Sequence, residues 1–265
     1  GYAEGKGVPY HRAISKYTPT WPRSFTPSNQ EMRSLVCANC HVEYYFKGDG
    51  KYLTFPWDNG TKVEEIIAYY EEAGFKDWAY PETESPMLKA QHPEYEFFTA
   101  GSTHYEAGVS CADCHMPYVR DGASKYSSHD VHSPLLNPEE ACGQCHTDTD
   151  YVIGRVNDIQ KQVAETKIAA EDAIIDAMTA IKAATAAGNA DPALLDEAKK
   201  LHREAQFMWD FISAENSTGF HNPEYALEVL SKSIDTARRA QMLAAQSVND
   251  STLLTTGTYY GQTNP

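Results

Sequence analysis

The stretch Leu35–Phe46, LVCANCHVEYYF, decides how the rest of the chain is read. Two cysteines stand two residues apart, a histidine follows at once, and Glu43, Tyr44 and Tyr45 come directly after. The same C-x-x-C-H pattern recurs as Cys111, Cys114, His115 and as Cys142, Cys145, His146, and these pairs use all 6 cysteines of the chain. This pattern is the attachment site of c-type haem. Two thiols add to the haem vinyl groups, and the adjacent histidine becomes the proximal iron ligand. A four-ligand zinc site wants two C-x-x-C pairs close together, yet Cys40 and Cys111 lie far apart in sequence. A thioredoxin-like redox pair does not require the histidine. Covalent haem attachment implies an extracytoplasmic, periplasmic location.

Composition limits the other options. The chain has 265 residues, a formal net charge of -15 and 42% hydrophobic residues. The acidity argues against nucleic acid as a partner, and the hydrophobic content is compatible with a packed core. No apolar run reaches the roughly 18 residues of a membrane helix. The opening GYAEGKGVPYHR has neither a methionine nor the apolar centre of a signal peptide, which reads as a mature product or a fragment.

The expected architecture is mainly α: a loop-rich multihaem c-type cytochrome scaffold followed by three long helices. Residues 1–27, with four prolines, form an irregular lead-in. Residues 28–150 carry the three motifs, with Ser28 and Glu31 making a capping box that opens a short helix into the first. Thr61 and Glu64 predict a second box, and Gly74 a left-handed helix end. Residues 76–110 read as loop with short helical pieces, and no strand pattern is convincing. Residues 151–250 are the long-helix region. Gly188 and Asn189 end its first helix, Asp191 and Pro192 open the second, Gly219 breaks it, and Asn222 and Pro223 open the third. Residues 251–265 are a tail, frayed or pinned to a neighbour. Helices of this length often pack against a second subunit, so a homodimer is expected.

Electron-transfer haems usually take a second axial ligand, and histidine suits low-potential work. His221, in GFHNP at a corner between long helices, is a good distal candidate. His104 cannot easily serve the motif beside it, so it suits another ring. His129 and His132 compete in SSHDVHSP. His202, mid-helix, reads as solvated or packed, and His11 carries no assignment.

The segments CANCHVEYYF, PMLKAQHPEYE, CADCHMP, CGQCH and ENSTGFHNP, in this order, resemble the carboxyl-terminal half of pentahaem cytochrome c nitrite reductase, the ammonia-forming enzyme, with the octahaem nitrite reductases a close variant. The resemblance runs from about residue 28 to residue 248. It implies that the three motifs carry the third, fourth and fifth haems of five. His104 then matches the distal ligand of the Cys142/Cys145 haem, His221 that of the Cys111/Cys114 haem and His129 that of the second haem, while His132 has no role. Tyr44 and His92 fall on the active-site tyrosine and histidine. Read without the resemblance, Tyr44 is aromatic packing against haem and His92 a distal ligand. A calcium ion is implied at Glu43, the backbone of Tyr44 and Lys89, and Gln91; these are hard oxygen donors. The implied chemistry is six-electron reduction of nitrite to ammonium, with electrons from a quinol-linked membrane cytochrome c. The family's substrate haem hangs on C-x-x-C-K, which this sequence lacks, so the substrate haem is expected upstream and the chain incomplete. The alternative is a non-catalytic trihaem electron-transfer cytochrome.

Overall fold

The computed structural model describes residues 28–257 and 259. The lead-in with His11 and the last residues of the tail lie outside the described residues. Among the described residues the chain is mainly α, as the sequence predicts. The elements are α1 (Asn29–Leu35), β1 (Tyr45–Lys47), β2 (Tyr52–Thr54), α2 (Val63–Glu72), β3 (Trp78–Ala79), β4 (Pro86–Met87), α3 (Glu94–Thr99), α4 (Thr103–Glu106), α5 (Cys111–His115), β5 (Tyr118–Asp121), β6 (Ser124–Ser127), α6 (Pro138–Ala141), α7 (Thr149–Ala187), α8 (Pro192–Ala214) and α9 (Pro223–Ser247).

The strands correct the sequence reading. Three antiparallel two-stranded hairpins occur, β1–β2, β3–β4 and β5–β6. Each strand has only two to four residues, too few to show an alternating pattern. The second capping box is also displaced. α2 begins at Val63, and Glu65 rather than Glu64 accepts the amide of its cap residue, Lys62, at 2.9 Å. The other signals hold. Ser28 and Glu31 cap α1 reciprocally, Gly74 has φ +57°, Gly188 ends α7 in the left-handed region, and Asp191 and Asn222 cap α8 and α9 through their side chains. α8 stops at Ala214, before Gly219. Gly219, at φ +86°, lies in the turn beyond, where a Cβ would come within 2.5 Å of Val163 Cγ2, so only glycine fits.

α9 packs along both α7 and α8. The seam is rich in alanine: Ala173, Ala177, Ala205, Ala237 and Ala240 are all fully buried. Small side chains let the backbones approach, close enough for the buried Ser233 hydroxyl to donate to the Ala205 carbonyl at 2.7 Å. A larger aromatic cluster joins the bundle to the motif-bearing half, with Tyr45, Tyr69, Tyr70 and Phe97 packed against Phe207, Phe211 and Tyr225. Gly257 and Tyr259 are pinned to α7 through Asp176 and Asp172. None of the described helices is long and apolar enough to cross a membrane.

His202 is packed rather than solvated. It is fully buried, with Nδ1 2.9 Å from the Ser85 hydroxyl and Nε2 without a partner. Burial pushes its pKa down to about 4. Between pH 6.5 and 4 the unfolded chain therefore binds a proton that the folded chain refuses. Stability present above pH 6.5 is lost as the pH falls through this window, by about 3 kcal/mol in total. Denaturation midpoints at pH 7 and pH 4.5 should show this loss, and His202→Gln should remove this part of the pH dependence.

Candidate haem-binding and active site

Each motif is a single helical turn that returns its histidine beside its cysteines. The His41 amide donates to the Cys37 carbonyl at 3.0 Å and the His146 amide to the Cys142 carbonyl at 2.9 Å, while Cys111 to His115 forms α5. All six thiols are free and none is fully buried, which fits thioether attachment. α1 docks the first motif onto the second. Arg33 pairs with Asp113 at 2.8 Å, Gln30 Nε2 donates to the Tyr105 and Val109 carbonyls, and the Cys37 and Cys111 thiols share a hydrogen bond that pulls Cys37 down to about 6 and pushes Cys111 up.

The structure sets a second imidazole opposite each motif histidine. Ring centres are 6.2 Å apart for His115 and His221, 6.3 Å for His146 and His104, and 6.1 Å for His41 and His92. Two metal–nitrogen bonds of about 2 Å each, plus the distance from nitrogen to ring centre on both sides, give a span of this size. Burial and neighbouring histidines hold His104 below the ordinary imidazole range, and burial does the same for His115. Both are thus neutral near pH 7, the form that ligates a metal. His129 is exposed and faces no motif histidine.

Three groups orient these rings, and the sequence reading missed all three. His115 Nδ1 lies 2.9 Å from the His132 carbonyl, so Nδ1–H donates and Nε2 is left free. His41 Nδ1 lies 3.4 Å from Glu94 Oε2, and His221 Nδ1 lies 3.4 Å from Glu215 Oε2. At that length these are carboxylate–imidazole contacts without hydrogen-bond geometry, since Glu94 Oε2 and His221 Nδ1 lack hydrogen-bond partners. Outer partners of this type fix ring orientation and tautomer at metal sites. His132 acts through its backbone, and Glu94 and Glu215 stand inside PMLKAQHPEYE and ENSTGFHNP without any feature of those segments that marks their part toward the rings.

After the first motif the chain enters a buried acidic knot. Glu43 is fully buried. Its Oε2 accepts the Gln91 amide at 2.6 Å and its Oε1 the Tyr70 hydroxyl at 2.8 Å. Glu96, equally buried, accepts the Glu43 amide and Trp57 Nε1 through Oε1, and its Oε2 has no partner. Burial raises both, Glu96 to about 8. The Glu43–Gln91 bond also ties the segment that bears Tyr44 to the one that bears His92, whose ring faces His41. Tyr44 is half-buried, His92 is exposed, and the Tyr44 ring meets Phe46 edge-on at 5.8 Å.

The matching family model is cytochrome c552, over residues 10–259. The chain belongs to the cytochrome c552 family. Among curated relatives, a cytochrome c-552 of Parabacteroides distasonis is 44% identical over 220 residues, 83% of this chain and 44% of that protein. The cytochrome c nitrite reductase subunit NrfA of Nitratidesulfovibrio vulgaris is 43% identical, over 82% of this chain and 45% of its own length. Among solved structures, the catalytic subunit of cytochrome c nitrite reductase from Desulfovibrio desulfuricans, described with two calcium sites, superposes with a TM-score of 0.83 at 38% identity, covering 92% of this chain and 54% of that one. The resemblance read in the sequence is thus borne out at the level of family and fold. The chain spans about half the length of the relatives it matches.

For a cytochrome c552 family member the donor chemistry around Glu43 fits calcium. Among the described residues no His, Lys or Arg pairs with this buried carboxylate, and a cation would offset its desolvation. No group of three or more His, Cys, Asp or Glu among the described residues could hold a metal. The residues that would hold it are of another kind: the Glu43 carboxylate, the Tyr44 and Lys89 carbonyls and the Gln91 amide oxygen, all hard donors.

Proposed function

We propose that this chain forms part of a periplasmic cytochrome c nitrite reductase that reduces nitrite to ammonium with six electrons. One observation carries the proposal: the buried Glu43–Gln91 bond ties the segment that bears Tyr44 to the segment that bears His92, whose ring faces the first motif histidine. An electron-relay residue, two protic side chains and a cation-type donor set therefore stand on two segments joined by one buried bond.

Cys37 and Cys40 with His41, Cys111 and Cys114 with His115, and Cys142 and Cys145 with His146 would hold three haems. His221 and His104 would complete the second and third, and His129 would serve a haem carried elsewhere in the polypeptide. Five haems are expected in the whole protein, one of them lysine-ligated. Bound haem supplies an iron that accepts and passes on one electron at a time. The residues of this chain do the rest. The Tyr44 hydroxyl donates a hydrogen bond to the bound anion. His92, exposed, brings positive charge and a proton. Glu43, Gln91 and the Tyr44 and Lys89 carbonyls would hold calcium, which fixes the backbone on either side of the pocket. Chain partners follow the same reading: a quinol-linked membrane cytochrome c as donor and a second copy along α7, whose first turns are largely exposed.

A second reading, a trihaem relay without catalysis, is favoured by one observation. His92 faces His41 at the same spacing as the other two imidazole pairs, which supplies six histidine ligands for three haems within this chain. Haem counting by mass separates the two readings. Five haems with nitrite-dependent turnover are expected; three haems without turnover would overturn the enzyme reading. His92→Ala gives a second separation. Under the enzyme reading, turnover falls while the low-spin spectrum is unchanged. Under the relay reading, one haem becomes high-spin.

A further inference from the structure

Three successive backbone amides end on three different carboxylates. The Lys89 amide donates to Asp77 Oδ2 at 2.9 Å, the Ala90 amide to Asp210 Oδ2 at 2.9 Å and the Gln91 amide to Glu43 Oε2 at 2.6 Å. The three acids come from unrelated parts of the chain: the loop before β3, the last turns of α8, and the segment after the first motif. Asp210 is nearly buried and also receives the Lys89 ammonium at 3.0 and 3.1 Å. Its charge is thereby matched locally, so Asp210 does not compete for a cation nearby.

We propose that Asp210 is the positioning residue that aims the Lys89 carbonyl at the cation held by Glu43 and Gln91; this rests on the calcium reading of the site. The argument is one of peptide geometry. The Ala90 N–H and the Lys89 C=O belong to the same rigid plane and point in opposite directions across a trans bond, and the described residues contain no cis bonds. Fixing the Ala90 N–H on Asp210 therefore fixes the Lys89 carbonyl on the far side. The next plane is fixed likewise. Its N–H, from Gln91, lies on Glu43, and its carbonyl, from Ala90, accepts the Lys89 ammonium at 2.7 Å. One lysine thus contributes a carbonyl to the site, while its side chain satisfies both the acid that orients that carbonyl and the following carbonyl that would otherwise stray.

The test is calcium titration of the haem-loaded protein in chelator-buffered solutions, with metal content, haem content and unfolding midpoint at saturating calcium measured alongside. Asp210→Ala should weaken calcium binding about tenfold or more, the range seen when residues that orient metal ligands are removed, at unchanged haem content. Asp210→Asn keeps an oxygen for the Ala90 amide and should show a smaller but measurable loss. Calcium affinity equal to wild type in either variant overturns the inference, and so does a lowered unfolding midpoint without a change in affinity. Should Asp210→Ala fail to accumulate, Asp210→Asn decides alone. Glu43→Gln separates the inference from the reading beneath it. If Glu43→Gln binds calcium as wild type does, the site itself is wrong; if it loses calcium while both Asp210 variants keep it, only the role of Asp210 falls.

Discussion

Replacing Tyr44 with phenylalanine is expected to lower nitrite turnover by about 100-fold while haem content and unfolding midpoint stay at wild-type values. The ring packs through its edge and face, which phenylalanine preserves, and among the described residues its hydroxyl makes no hydrogen bond. A half-buried hydroxyl with no structural partner is a donor held in reserve. Losing one preorganised donor to a developing charge costs roughly 100- to 1,000-fold in turnover. Steady-state assays with nitrite and a reduced dye check this, and wild-type turnover would show that Tyr44 only packs.

Phe207→Ala is expected to destabilise the protein by about 3–5 kcal/mol, the range for removing a fully buried aromatic ring. Phe207 is 0% exposed and meets Tyr70 edge-on at 5.9 Å and Phe211 at 6.3 Å. Tyr70 in turn donates to Glu43. The cavity therefore opens against the ring that holds the metal-type carboxylate, and calcium affinity should fall together with stability. Guanidinium unfolding followed by far-ultraviolet circular dichroism gives the first quantity and metal titration the second. A change below about 1 kcal/mol would mean that the cluster closes over the gap.

Much of the fold was legible because its punctuation is local. Gly188, Asp191–Pro192 and Asn222–Pro223 act through their own backbone, and each performs the expected task. The motifs were legible because thioether attachment fixes a spacing. The hairpins were not: a strand as short as Trp78–Ala79, paired with Pro86–Met87, has too few residues to show a strand pattern. The orienting groups at the candidate site fail for a related reason. Glu94 lies far in sequence from His41, the His132 carbonyl is an atom every residue has, and Glu215 meets His221 only because the turn at Gly219 folds the chain back. The buried acids were half legible. Glu43 and Gln91 stood out by resemblance, whereas Glu96 and Asp210 look like ordinary helical surface until the packing turns them inward.

α7 has 39 residues against 23 and 25 in its bundle partners, a length of about 58 Å. Its last five turns are seated in the alanine seam, and its first residue lies three positions beyond His146. The third motif is therefore carried on the end of a shaft, while its facing imidazole, His104, is mounted separately on α4. An α-helix turns by about 100° per residue, so the number of residues in α7 sets the angular phase at which His146 is presented. Gln160, bonded to the Ser217 carbonyl, and Val163, closed over Gly219, act as the bearing that keeps the shaft from twisting. Length in this helix is thus a timing mark: substitutions along its exposed side leave the phase untouched, and a change of one residue in its count does not.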